Sequence, residues 1–218
     1  MPTTTDGLVL HHAPKTRSTG VRVLLEELNA PDELHVINLK AGEQQGSAHL
    51  AVNPMGKVPA IRHGGATVAE QAACYLYLAD LFPEAGLAPG TTDPARGAYL
   101  RWMVFYGSCF EPAVIDRAME RAPPPRMMSA YGDYDTVLAQ VLAMLTPGPW
   151  ILGERFSAAD VLWGSALGWT TAFKLVPEEP AIMAYLARFR ARPAYQAIAA
   201  DDARLAAAQQ AAQQAAAG

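Results

Sequence analysis

The sequence predicts an α/β domain followed by an all-helical domain, and three observations predict it. Up to about residue 81, short β-prone apolar runs are mixed with helical spacing. The stretch FPEAGLAPGTTDP at 82–94 then carries three prolines and two glycines, and apolar periodicity stops, as in a linker. Beyond residue 94 the strand signal vanishes and helical patterns alone recur. The expected division is a first domain at 1–83, a linker at 84–94 and a helical domain at 95–218.

The elements of the first domain follow in order. Leu8, Val9, Leu10 and His11 form a short apolar strand. The loop Ala13, Pro14, Lys15, Thr16, Arg17 leads to Ser18, a residue type suited to cap a helix. That helix runs to about residue 28, with Val21, Leu24, Leu25 and Leu28 as its buried stripe. Residues 33–39 make the next strand, with His35, Ile37 and Leu39 on one face. Residues 41–52 are polar and irregular, with room for a short helix. Asn53, Pro54, Met55 and Gly56 are turn-formers. Ala60-Ile61 and Thr67-Val68 are short strands joined by a turn at His63-Gly64-Gly65. A helix starts at Glu70, with Ala73, Tyr77, Leu78 and Leu81 at helical spacing. The order βαβ, a connection, then ββα is that of a thioredoxin-like domain.

The second half reads as helices only. Residues 95–121 form one long helix, with Leu100, Met103, Val104 and Phe110 apolar. Pro112 predicts a kink there, and the prolines at 123–125 stop it. A second helix spans 127–145. FSAAD at 156–160 is the clearest helix start: Ser157 caps, Asp160 reaches back, and Phe156 can pack on Val161. That helix runs to about residue 173, and residues 179–190 and 193–200 supply two more. The tail AAAQQAAQQAAAG has helix propensity without an apolar stripe, and is expected to fray or to extend the last helix without packing.

Bulk properties exclude several classes. The chain has 218 residues, 51% hydrophobic and 17% charged, with a formal net charge of −4. That balance supplies a packed core and argues against a general nucleic-acid binder. Cys74 and Cys109 form no CxxC and fall in helices, so a reducing compartment is expected rather than a disulfide. MPTTTDG lacks the basic and apolar regions of a signal peptide, and no apolar run reaches the length of a membrane span. The expected location is the cytoplasm. His11 and His12 point to opposite faces of one strand, and His35, His49 and His63 have no metal-ligand spacing. No metal is expected.

Two features at 53–80 suggest a ligand site. Pro59 removes a backbone donor where a strand begins. If the bond before it is cis, Val58 offers its own N–H and C=O to a ligand. Glu70 and Gln71 sit at a helix start, where free N–H groups and the dipole favour a carboxylate. Such a strip of main chain beside a helix end suits a peptide-like acidic ligand.

The stretches NPMGKVP, with its following hairpin and EQAACYLYLAD, and GPWILGERFSAADVLWGSAL at 148–167 carry a family resemblance. Over residues 8–202 the chain resembles the cytosolic glutathione S-transferases, in particular the bacterial members. The resemblance implies a thioredoxin-like glutathione domain, an all-α second domain and a homodimer joined through the helices from Glu70 and Ala95. It implies no cofactor, with glutathione as co-substrate and an apolar electrophile held in a cleft between the domains.

The chemistry needs a thiolate at neutral pH. Lowering a thiol pKa of about 8.5 by about two units takes roughly 2.7 kcal/mol of preference for the anion, which a hydroxyl and a helix N-terminus can supply. In the family the activating group lies in the first loop. This loop offers Ser18 and Thr16 as candidate hydroxyls and no tyrosine, with Arg17 to help hold the anion. By resemblance, Val58 before Pro59 pairs with the cysteinyl part of glutathione, Lys57 reaches its glycine carboxylate and Glu70 its glutamyl amine. Gln71 stands where the family usually has Ser or Thr, and can donate to the glutamyl carboxylate through its amide. Trp102, Phe105, Tyr106 and Trp169 are the candidate walls of the electrophile pocket. The same site can reduce peroxides or disulfides with glutathione, and a fold that binds without turnover is the reading from another class.

Overall fold

The computed structural model describes residues 7–122 and 124–217. The N-terminal stretch read for a signal peptide (residues 1–6), Pro123 among the helix-stopping prolines, and Gly218 of the tail lie outside the described residues. The chain forms two compact units: residues up to Ala85 together with those from Arg192 on, and Gly86–Ala191.

The first unit is built on a four-stranded sheet. β1 (Val9–His12) is followed by α1 (Ser18–Glu27), β2 (Glu33–Val36) and the short α2 (Ser47–Leu50). Then come β3 (Ala60–His63), β4 (Ala66–Ala69) and α3 (Gln71–Leu81). The strand order is β2-β1-β3-β4; β1 pairs parallel with β2 and antiparallel with β3, and β3 pairs antiparallel with β4. A mixed sheet in the order βαβ–ββα is the thioredoxin-like arrangement that the element order predicts. Gly64 and Gly65 both have positive φ, at 52° and 87°, which the tight β3–β4 hairpin requires. β2 stops at Val36 rather than at residue 39, because the Asn38 side chain accepts the N–H groups of Lys40 and Ala41 and turns the chain.

The buried stripe of α1 is the expected one: Val21, Leu24, Leu25 and Leu28 are all buried. That of α3 is shifted. Cys74, Tyr75, Leu78 and Ala79 face inward, whereas Ala73, Tyr77 and Leu81 are half-exposed. Tyr77 turns its hydroxyl to His63 Nδ1 at 2.7 Å, so its polar tip keeps it at the rim.

The tail departs most from expectation. α9 (Pro193–Ala217) is one continuous helix, and it packs on α1 within the first unit. Ala194 and Ile198, one turn apart, are buried at its start, and polar contacts also hold it. Arg192 grips Glu27 through two bonds of 2.6 Å, Arg22 reaches Asp201 at 2.6 Å, and Gln209 donates to Ile37 O at 3.2 Å. Residues from 192 on therefore group with the sheet rather than with the helical domain in which the sequence reading placed them.

The second unit contains α4 (Arg96–Phe105), α5 (Glu111–Ala118), α6 (Tyr134–Met144), α7 (Ala158–Ala172) and α8 (Pro180–Arg190). The expected long helix is broken by a π-helical turn at Tyr106–Phe110, just before Pro112. Proline has no N–H to continue the ladder, and a wider turn absorbs the interruption. α6 starts at Tyr134 rather than at residue 127, because Gly132 has φ 75° and Asp133 caps Thr136 N–H at 2.7 Å. The Ser157–Asp160 capping box at α7 is present as expected. Its core centres on Trp163, whose ring lies 5.0 Å from Phe110 and whose Nε1 donates to Trp102 O at 3.0 Å. α7 and α8 meet closely: a Cβ added at Gly164 would run into the Phe189 ring. Among the described residues, no helix is long and apolar enough to cross a membrane.

Candidate active site

Strand register assembles the site in the first unit. Ala60, the first residue of β3, lies opposite both His11 near the end of β1 and Ala69 at the end of β4. Three irregular segments therefore leave one end of the sheet: the loop after β1, the Lys57-Val58-Pro59 approach to β3, and the start of α3. Gln71 Nε2 donates to Arg17 O at 3.3 Å, which ties the openings of α1 and α3 together. Two helix N-termini side by side favour an anionic ligand.

The approach to β3 is anchored from beneath. The Val58–Pro59 peptide bond is cis. Asn53 Nδ2 donates to Lys57 O at 2.9 Å, and His49 Nε2 lies 3.1 Å from the same carbonyl. A carbonyl only accepts, so His49 carries its proton on Nε2. His49 Nδ1 is then left to accept from His11 Nδ1 at 3.4 Å. Burial, with His35, His49 and Arg62 nearby, pushes the His11 pKa down to about 4, so His11 is neutral at pH 7. Lys57 itself is exposed. Glu70 is exposed at the N-cap of α3 with φ 69°, a conformation that non-glycine residues rarely adopt.

The first loop separates the two candidate hydroxyls. Ser18 is 0% exposed. Its Oγ lies 2.8 Å from His12 Nδ1 and 2.7 Å from Thr16 Oγ1, and accepts from Ala13 N–H at 3.1 Å. A hydroxyl enclosed in this way meets no sulfur, and Ser18 holds the loop instead. Nor does it cap α1, since Arg17 is the N-cap residue and Thr16 Oγ1 accepts Ser18 N–H at 3.2 Å. Thr16 is half-buried and donates to Ala13 O at 2.7 Å. Arg17 is exposed.

The expected pocket aromatics lie in the second unit. Trp102 and Tyr106 are buried there, with rings 6.3 and 6.1 Å from Trp163. Both pack in the core of that unit. Phe105 and Trp169 are half-exposed. The Cys74 thiol is pushed up to about 12, first by burial and then by Glu70, so it is inert. Among the described residues, no group of three His, Cys, Asp or Glu is arranged to hold a metal ion.

The sequence reading missed His12, His49, Asn53 and Asp202 as residues of the site. A histidine ending an apolar strand ahead of a hydroxyl-bearing loop was the available signal for His12. Asp202 gave none, because its partner Lys15 is 187 positions away.

Comparison with known proteins places this geometry. Family models described as "Glutathione S-transferase, N-terminal domain" and "Glutathione S-transferase, C-terminal domain" match residues 16–81 and 123–193. The glutathione S-transferase GstA of Escherichia coli O157:H7 is 27% identical over 190 residues, 86% of this chain and 94% of its own. The crystal structure of a glutathione transferase from Methylococcus capsulatus superposes with a TM-score of 0.75 and 32% identity, over 90% of this chain and 98% of the other. A glutathione transferase homologue from Sulfitobacter, solved with bound glutathione, gives a TM-score of 0.71 and 28% identity over 88% of this chain and 96% of its own. With both halves matched and a relative above 30% identity covered almost end to end, the chain belongs to the glutathione S-transferase family.

Proposed function

We propose that the chain works as a glutathione transferase that binds glutathione at the end of the sheet in its first unit and reacts its thiolate with an apolar electrophile. The observation that carries this reading is the Gln71–Arg17 contact. It sets two helix openings next to the anchored Lys57-Val58 main chain, which suits a ligand with two carboxylates and a peptide backbone. Val58 pairs with the cysteinyl part, Lys57 meets the glycine carboxylate, and Glu70 and Gln71 meet the glutamyl end. The sulfur lies at the opening of α1, near Arg17 and the Thr16 hydroxyl. Thr16 is preferred over Ser18 because its side chain is half-exposed and its proton can turn outward from Ala13 O. The proton that leaves the thiol passes to water.

Relatives named as transferases favour conjugation over reduction of peroxides or disulfides. The protein acts in the cytoplasm, in keeping with its two free cysteines. It forms a homodimer, a reading supported by Leu100 and Val104, apolar residues on α4 that are 37% and 58% exposed one turn apart. Val104→Glu is expected to shift the sedimentation of a dimer toward the monomer.

Calorimetric titration with glutathione, followed by an assay with a generic aromatic electrophile, tests the central reading. Heat of binding and turnover are expected, and Thr16→Val should raise the pKa of the bound thiol. Absence of binding at millimolar glutathione would end the reading.

A further inference from the structure

The first unit holds a cavity of about 240 Å³ at the other end of its sheet. Val9 lies opposite Glu33 in the β1–β2 pair, so the approach to β2 is far along the strands from the loop after β1. Three segments line the cavity: α1 with Arg22, Leu25 and Glu26, the approach to β2 with Asp32 and Leu34, and α9 with Ile198. The volume exceeds a single water's share of about 30 Å³ and falls below the roughly 300–1,000 Å³ of drug-sized sites. It matches a free amino acid in scale.

The lining is chemically mixed. Leu25 and Ile198 are buried and Leu34 is half-buried, which gives an apolar portion. The Arg22 side chain is 11% exposed. Its Nη2 donates to Asp201 at 2.6 Å, while its Nη1 is buried with no hydrogen-bond partner. A buried guanidinium N–H left unmet is costly, and only an acceptor can satisfy it. Glu26 stands one turn after Arg22 on the same face of α1. Loss of hydration raises the Asp32 carboxyl above its usual range, Arg22 lowers it and Glu26 raises it again, so the three charged groups sense one another. Glu26 and Asp32 are both exposed and form the acidic rim.

We propose that this cavity is a binding site for a small zwitterion, an α-amino acid with a short apolar side chain. Its carboxylate accepts from Arg22 Nη1, its ammonium donates to Glu26 and Asp32, and its side chain lies against Leu25, Leu34 and Ile198. Charge selects this class over simpler ones. A carboxylate alone meets Arg22 but is repelled by two carboxylates at the rim. An amine alone leaves Arg22 Nη1 unmet. A ligand seated here touches α1 and α9 at once, so its binding adds to the contacts that dock α9. None of these residues is assigned to glutathione, and the site stands apart from that reading.

Calorimetric titration of the full-length protein with L-leucine tests the proposal, with and without saturating S-hexylglutathione to block the glutathione site. If the protein binds no glutathione, that reading falls while the leucine titration keeps its meaning. Leucine is expected to bind in both conditions. The analogues 4-methylpentanoate and 3-methylbutylamine, each lacking one charge, should bind at least about tenfold more weakly. Glu26→Gln combined with Asp32→Asn should weaken leucine binding about tenfold, and Arg22→Met by a similar factor. Asp201→Asn is the control. It removes the same Arg22 ion pair without altering the cavity lining, and should keep leucine affinity within about threefold. Absence of leucine binding at about 10 mM would overturn the proposal. So would an analogue that binds as tightly as leucine, or leucine binding that S-hexylglutathione abolishes. An equal loss in Asp201→Asn would reduce the Arg22 effect to helix docking and overturn the role of its guanidinium. If Arg22→Met does not fold, the Glu26→Gln, Asp32→Asn variant decides: unchanged affinity overturns the site.

Discussion

Buried polar side chains gather differently in the two units. In the first, His12, Ser18 and Asp202 surround one loop, while His49 and Asn53 hold the Lys57 carbonyl of another. In the second, Asp160 accepts from Ile151 N–H, Ser157 N–H, the Ser157 hydroxyl and the Tyr185 hydroxyl, all at the start of α7. The first set fixes irregular main chain that no strand ladder or helix could hold. The second set ends a helix. Polar burial therefore marks a prospective site only where the backbone it supports is non-repetitive; around a helix cap it marks folding.

The largest expected effect lies on the folding side. Asp160→Ala leaves two backbone donors and the Ser157 hydroxyl unmet in a buried setting, where each costs about 1–3 kcal/mol. A loss of at least about 3 kcal/mol is expected in denaturant unfolding, and any folded fraction should keep its KM for glutathione. Asn53→Ala should show the reverse pattern. It removes one bond to Lys57 O and one to Met55 N–H, so a cost of about 1–2 kcal/mol is expected, with a several-fold rise in the KM for glutathione. If both variants changed KM alike, the contrast between the units would fail.

The units are also expected to respond to pH with opposite sign. Burial lifts the Asp160 carboxyl to about 6, against bonds from Ile151, Ser157 and Tyr185 that favour its anion. The folded state thus binds this proton more tightly than the unfolded one. Its contribution weakens as pH rises from about 4 to about 6, by up to roughly 3 kcal/mol. His11 is pushed the other way, down to about 4, so its contribution is complete above about pH 6.5 and is lost as pH falls toward 4. Unfolding free energies of wild type minus His11→Gln, and of wild type minus Asp160→Asn, should therefore change in opposite directions on acidification. The smallest effect belongs to the end of α9. Removing residues 208–218 breaks the part-buried contacts of Gln209 with Ile37 O and Gln213 with Asn38, at a cost under about 1 kcal/mol.

Legibility in the sequence followed how local each signal was. The β3–β4 hairpin, the capping box of α7 and the stripe of α1 were readable because glycine, capping and apolar spacing act within a few residues. The π-turn before Pro112 was only half readable: proline announces a break but not how the preceding turn widens. α9 was unreadable as a packed element, because it docks through Arg192, Asp201 and Asp202 onto partners near the N-terminus. The same distance hid the site's support. Ser18 and Thr16 look alike as loop hydroxyls, and only the burial of Ser18 between His12 and Ala13 separates them.

The most direct measurement is a crystal structure of the protein with glutathione bound. It should show the cysteinyl main chain along Val58, the glutamyl end at Glu70 and Gln71, and sulfur within about 3.5 Å of Thr16 Oγ1 at the opening of α1. Glutathione lying away from the loops at residues 13–18 and 57–59, or sulfur facing a different donor, would contradict the account.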